Sequence, residues 1–145
     1  MKHYIGIDLH SNNHYISIID ESDNRIVEKR VKNNLADTLK IINPYKNSVH
    51  AIAVESTYNW YWLADGLIKE GYQVKLVNTV AVQQYSGLKY TDDKSDACWI
   101  AHLLRLNILP TGYIYPAPER GIRDLLRKRL QLVEDRVKHI LRIQS

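Results

Sequence analysis

Tyr4-Ile-Gly-Ile-Asp-Leu-His10 decides how this chain is read. Tyr4, Ile5, Ile7 and Leu9 make an apolar strand, and Asp8 is set inside it. A carboxylate in an apolar strand is costly unless its charge is compensated, and a bound cation is one compensation that is also chemistry. Two later stretches offer partners. Ala51-Ile-Ala-Val-Glu55 is again an apolar strand ending in an acid, and Asp93-Lys-Ser-Asp96 opens an apolar helix with two more acids. The expectation is that Asp8, Glu55, Asp93 and Asp96 meet around divalent metal, Mg²⁺ or Mn²⁺, because hard cations take oxygen ligands. Two such ions about 4 Å apart can stabilise the attacking and leaving oxygens of a phosphodiester.

The rest of the composition sets bounds. A chain of 145 residues, 45% hydrophobic and 25% charged, suits an ordinary globule with a core. It has no apolar run of about 18 residues and no basic-then-apolar leader, so neither a membrane span nor secretion is expected. Cys98 is the sole cysteine, which fits a reducing cytoplasm, and no Cys/His cluster has zinc-ligand spacing. The net charge of +4 is uneven. Up to Pro118 acids and bases balance, whereas from Glu119 onward eight Lys/Arg face four Asp/Glu. Such a tail, with Arg123, Arg127 and Lys128, is a candidate contact for a nucleic-acid backbone; a solvated basic helix is the ordinary alternative.

Taken in order, residues 1–9, 14–20 and 25–31 read as three strands joined by tight turns, an antiparallel meander. A helix starts at Asn34 with Leu35, Leu39 and Ile42 on one face and stops at Pro44. Residues 48–54 form a central strand, and Ser56 or Thr57 can cap a helix through Trp60, Leu63, Leu67 and Ile68 that Gly71 ends. Residues 72–77 are a fifth strand, parallel to the fourth through the intervening helix. Another helix runs from Asp93 to about Leu106, its stripe being Asp93, Asp96, Ala97, Ile100 and Leu104. Asp92 lies four residues before Asp96 and is the alternative third acid; Asp93 is preferred because it continues the stripe. Pro110, Gly112, Pro116 and Pro118 mark a linker. A long helix follows, with Leu126, Leu130, Val133, Val137 and Ile140 as a heptad seam, read as the start of a longer coiled coil.

That order, βββαβαβα with acids on strands one and four and at a late helix start, describes a ribonuclease-H-like α/β fold: a mixed five-stranded sheet with flanking helices, plus a long C-terminal helix. The domains are residues 1–112, binding metal, and 113–145, linker and basic helix. Each acid alone has an ordinary reading, an N-cap for Asp93 and a salt bridge or strand end for Asp8 and Glu55. Four acids at matching places of one fold weigh against four coincidences. His10 points to the same strand face as Asp8, as a phosphate contact or as an ordinary loop histidine. Lys89 and Lys94 flank the acids and could meet a nucleic-acid backbone. Actin-like ATPases and sugar kinases also end their first strand in an acid, but Asp8-Leu9-His10-Ser11 lacks their glycine turn, and the chain is too short for two lobes.

The sequence resembles the N-terminal domain of the DEDD transposases of the insertion-sequence-110 group. The resemblance rests on Ile5-Gly-Ile-Asp-Leu-His10, Val54-Glu-Ser-Thr-Tyr-Asn-Trp60, Leu67 to Gly71, Val74-Lys-Leu-Val-Asn78, and Lys89-Tyr-Thr-Asp-Asp-Lys-Ser-Asp-Ala97 with Ile100-Ala101 and Leu103-Leu104. It implies a RuvC-like domain holding Mg²⁺ through Asp8, Glu55, Asp93 and Asp96. It also implies a recombinase acting on DNA with a structured guide RNA and completed by a serine-bearing second domain outside these residues, while the heptad seam adds the expectation of self-association through the C-terminal helix. The chain departs from the family pattern where Ser56-Thr57-Tyr58 lacks a glycine and where Lys-Tyr-Thr-Asp-Asp is one residue longer before Asp93. The alternatives are a nucleic-acid-binding and dimerising module inactive alone, and a self-sufficient junction nuclease of RuvC type.

Overall fold

The computed structural model of the chain describes residues 1–56, 59–88 and 95–144. They fall into two compact units, Met1–Tyr113 and Ile114–Ser145.

In the first unit the elements are β1 (His3–Leu9), β2 (Asn13–Asp20), β3 (Arg25–Lys32), α1 (Leu35–Ile42), β4 (Val49–Glu55), α2 (Tyr61–Lys69), β5 (Val74–Val77), α3 (Thr79–Val82), α4 (Ser95–Arg105) and β6 (Thr111–Gly112). They build one sheet in the order β3-β2-β1-β4-β5-β6. β1 is antiparallel to β2 and parallel to β4, and β4 is parallel to β5. The strands that read as continuous apolar runs are the central ones. Ile5, Ile7, Ile16, Ile18 and Ile52 have no exposed surface, while β3 alternates charged residues along the sheet edge. Burying each such isoleucine contributes about 1.5–3 kcal/mol. Five of them outweigh the few kcal/mol that one buried carboxylate costs, so the sheet centre can carry Asp8.

Local chemistry sets the element ends. Asn34 caps α1 by accepting from Ala36 N and Asp37 N at 2.8 and 3.3 Å. Gly71, at φ +86°, closes α2. Its N–H donates to Ile68 O and that of Tyr72 to Leu67 O, the paired bonds of a Schellman turn. Gly6 has a different task. A Cβ there would collide with the carbonyl oxygen of Ala97 and come within 2.7 Å of Ala101 N, so α4 lies directly on β1 only because position 6 has no side chain.

Two details differ from expectation. The sheet has six strands, not five: Thr111 and Gly112, within the proline-marked linker, pair antiparallel with Val77 and Leu76, and Asn78 N donates to Pro110 O at 2.9 Å. A two-residue strand has no periodicity to read. Ser56 does not cap α2; the helix begins after Trp60, whose side chain makes no capping bond, and Thr57 lies outside the described residues. Trp60, only 4% exposed, fixes that start by packing into the core.

The second unit is dominated by α5 (Ala117–Gln144), which contains no buried residue. Among the described residues no helix is long and apolar enough to cross a membrane.

Candidate active site

Asp8 is the last but one residue of β1 and is 4% exposed. Ile7 pairs in parallel register with Val54, so Asp8 and Glu55 follow at the same end of two adjacent strands. Neighbouring strands run about 4.8 Å apart, which makes these two residues neighbours along the sheet. His10 Nε2 lies 3.1 Å from Asp8 Oδ2, and the histidine side chain is 51% exposed.

His10 is held there by a network that sequence reading did not find. The Asn33 side-chain amide donates to His10 O at 2.8 Å and to Ser11 O at 3.0 Å. With its N–H groups so engaged, Asn33 turns its carbonyl oxygen to His14 Nδ1, 3.0 Å away. Nδ1 therefore carries the proton, and Nε2 faces the Thr38 hydroxyl at 2.9 Å. That hydroxyl is equally 2.9 Å from Asn34 O. His14 and Thr38 have no exposed surface, and burial pushes the His14 pKa down against a smaller upward pull from Asn33. Its signal in the sequence was a histidine opening an apolar strand without a charged neighbour.

Asp96 lies in the first turn of α4, the helix that Gly6 admits onto β1. Asp96 and Glu55 line one cavity of about 220 Å³. The far end of α4 is anchored to the β2–β3 turn. His102 Nδ1 and Arg105 Nε lie 2.7 and 3.1 Å from the Asp23 carboxylate, and Arg105 Nη1 also donates to Glu21 O at 3.3 Å. Burial raises the Asp23 pKa, but the hydrogen bonds and charges of His102 and Arg105 outweigh it and hold the group below the usual carboxylate value. The Trp99 ring stacks on His102 at 5.4 Å, nearly parallel. This clamp was also missed, because its partners are some 80 positions apart in sequence.

The other expected residues divide. Asp93, its alternative Asp92, and Lys89 and Lys94 lie outside the described residues. Among the described residues no group of three or more His, Cys, Asp or Glu side chains is close enough to hold a metal. What is present has fitting chemistry. Asp8, Glu55 and Asp96 offer the oxygen donors that hard divalent ions take, from two adjoining strand ends and one helix start. Asp8 is buried against a histidine that is charged only when protonated. On α5, Arg123 is half-buried, pairs with Asp124 at 2.9 Å and lies 5.1 Å over the Tyr115 ring. Arg127 is exposed, and Lys128 Nζ donates to Gln131 at 3.2 Å.

The family model for DEDD transposases of the insertion-sequence-110 group, described as transposase, matches residues 5–145. No curated protein matches the chain. The solved structure of T. thermophilus RuvC in complex with a Holliday junction substrate is similar at 12% identity and a TM-score of 0.51, over 77% of this chain and 100% of that one. At that identity the likeness speaks for the fold, which is RuvC-like and hence ribonuclease-H-like.

Proposed function

From the premise that this chain belongs to the DEDD transposase family of the insertion-sequence-110 group, we propose that it is the metal-dependent catalytic domain of a transposase, cutting DNA phosphodiesters. The observation that carries this reading is the placement of three acids on adjoining elements. Asp8 and Glu55 end adjacent parallel strands, and Asp96 starts the helix that lies on the first of them. Asp8, Glu55, Asp93 and Asp96 are the residues that would hold Mg²⁺ or Mn²⁺, and the metal would neutralise the phosphate and lower the pKa of a bound water. The protein's own part is to carry Asp8 and Glu55 on adjacent strands and Asp96 on α4. Asp8 is fixed in the sheet, and α4 is pinned at its far end by Asp23.

DNA is the proposed substrate, with a structured guide RNA and a serine-bearing second domain completing recombination. The support for both is the family membership. Copies of the chain associate through α5, a reading supported by its exposed apolar seam. The experiment is nicking of supercoiled plasmid and of a four-way DNA junction by the chain in Mn²⁺. Nicking that disappears in Asp8→Asn and Glu55→Gln supports the catalytic reading. Junction cleavage without further components would favour a self-sufficient nuclease of RuvC type.

A second reading has its own observation: α5 combines basic residues with exposed leucines and valines, which suits a nucleic-acid-binding and dimerising module. Nucleic-acid binding that survives Asp8→Ala and Glu55→Ala, with no nicking by the wild type, would favour it.

A further inference from the structure

The cavity that Glu55 and Asp96 share has another wall of different chemistry. Val77, Val82 and Ile100 are apolar, Trp99 adds an indole, and Thr79 and Gln83 bring a hydroxyl and an amide. Gln83 is exposed, while Thr79, Val82 and Trp99 are half-buried. The wall is built before any ligand arrives, since Trp99 stacks on His102 and Asp23 holds His102. At about 220 Å³ the cavity is smaller than clefts for drug-sized ligands, which run roughly 300–1,000 Å³. One flat group fits it. Two carboxylates at one end oppose a bare anion there, because like charges at close range repel. A neutral group with apolar faces and a hydrogen-bonding edge meets every part of the lining. An unpaired nucleobase is such a group, and enzymes that extrude a base hold it between apolar or aromatic side chains and read its edge with polar ones.

Resting on the reading of the acids as the phosphodiester-cutting site, we propose that this cavity takes one unpaired nucleobase of the strand being cut, beside the scissile phosphate. Thr79 and Gln83 read its edge, and Val82 sets the room available. Base identity at that position then contributes to the choice of cut site.

The test uses the full chain in Mn²⁺ and a short single-stranded oligodeoxynucleotide carrying one 2-aminopurine, beside its RNA counterpart. The 2-aminopurine fluorescence changes when the DNA probe binds. Val82→Trp, which fills the cavity, abolishes that change and weakens binding about tenfold, the value of one stacked base. Gln83→Ala, a surface change that leaves the core alone, weakens it about threefold, as for one hydrogen bond. The same affinity and the same fluorescence in Gln83→Ala and in a folded Val82→Trp would overturn the base pocket, even where Mn²⁺ binds normally. A cavity-dependent signal in a protein that binds no Mn²⁺ would keep the pocket and overturn the metal reading instead. A signal from the RNA probe alone would overturn the assignment to the cut strand.

Discussion

His14 shows how a single residue links the catalytic-looking end of the sheet to the pH response of the fold. It is buried and neutral, with its pKa below the ordinary value because burial disfavours the charged ring. The unfolded chain then binds a proton that the native state refuses, so stability rises with pH across the window between the lowered value and about 6.5. Acidifying from pH 7 through that window should lower the urea midpoint, and His14→Gln should flatten the dependence. An equally steep loss in the variant would contradict the assignment. The Asp23 carboxylate acts lower on the scale. Its pKa is depressed, so its stabilising pairing with His102 and Arg105 is present above the ordinary carboxylate range and lost as pH falls through the depressed value.

Among the elements, the packing of α4 on β1 sets Asp96 on the helix that covers the strand carrying Asp8. Gly6→Ala forces the helix off the strand, since the new methyl meets backbone, which cannot rotate away. Overpacking typically costs about 1–3 kcal/mol. The expected outcome is a fall of at least that size in unfolding free energy by urea titration, with weakened Mn²⁺ binding in whatever fraction stays folded. A Gly6→Ala protein of full stability would refute the close approach. Most elements were legible because their signals are local. Buried runs of isoleucine marked the central strands, Asn34 and Gly71 marked helix ends, and the apolar spacing of Ala97, Ile100 and Leu104 marked the buried face of α4. The sixth strand was not legible, because two residues carry no period. Nor were the Asn33–His14–Thr38 and Asp23–His102–Arg105 networks, because their partners meet only through tertiary packing. The positions of Asp8 and Glu55 at adjoining strand ends were legible for the opposite reason. An acid in an apolar run is conspicuous, and the ribonuclease-H-like order of elements lays the first and fourth strands side by side.

Over the whole molecule, α5 and the acids make separate demands. Leu126, Leu130, Val133, Val137 and Ile140 are each at least 42% exposed on one helix, and such a seam is stable in water when another helix covers it. Leu130→Glu with Val133→Glu should shift the chain towards monomer in sedimentation equilibrium, and an unchanged mass would remove the helix from the interface. Neutralising Arg127 and Lys128 should reduce the salt dependence of DNA binding, by a slope of about 0.9 for each phosphate that no longer has a cationic partner. Whether these acids form a divalent-metal site is decided by calorimetric titration of Mn²⁺ into the wild-type chain and into Asp8→Asn. The wild type should bind saturably and the variant at least about tenfold more weakly, some 1.4 kcal/mol. Superimposable isotherms for the two proteins would contradict such a site.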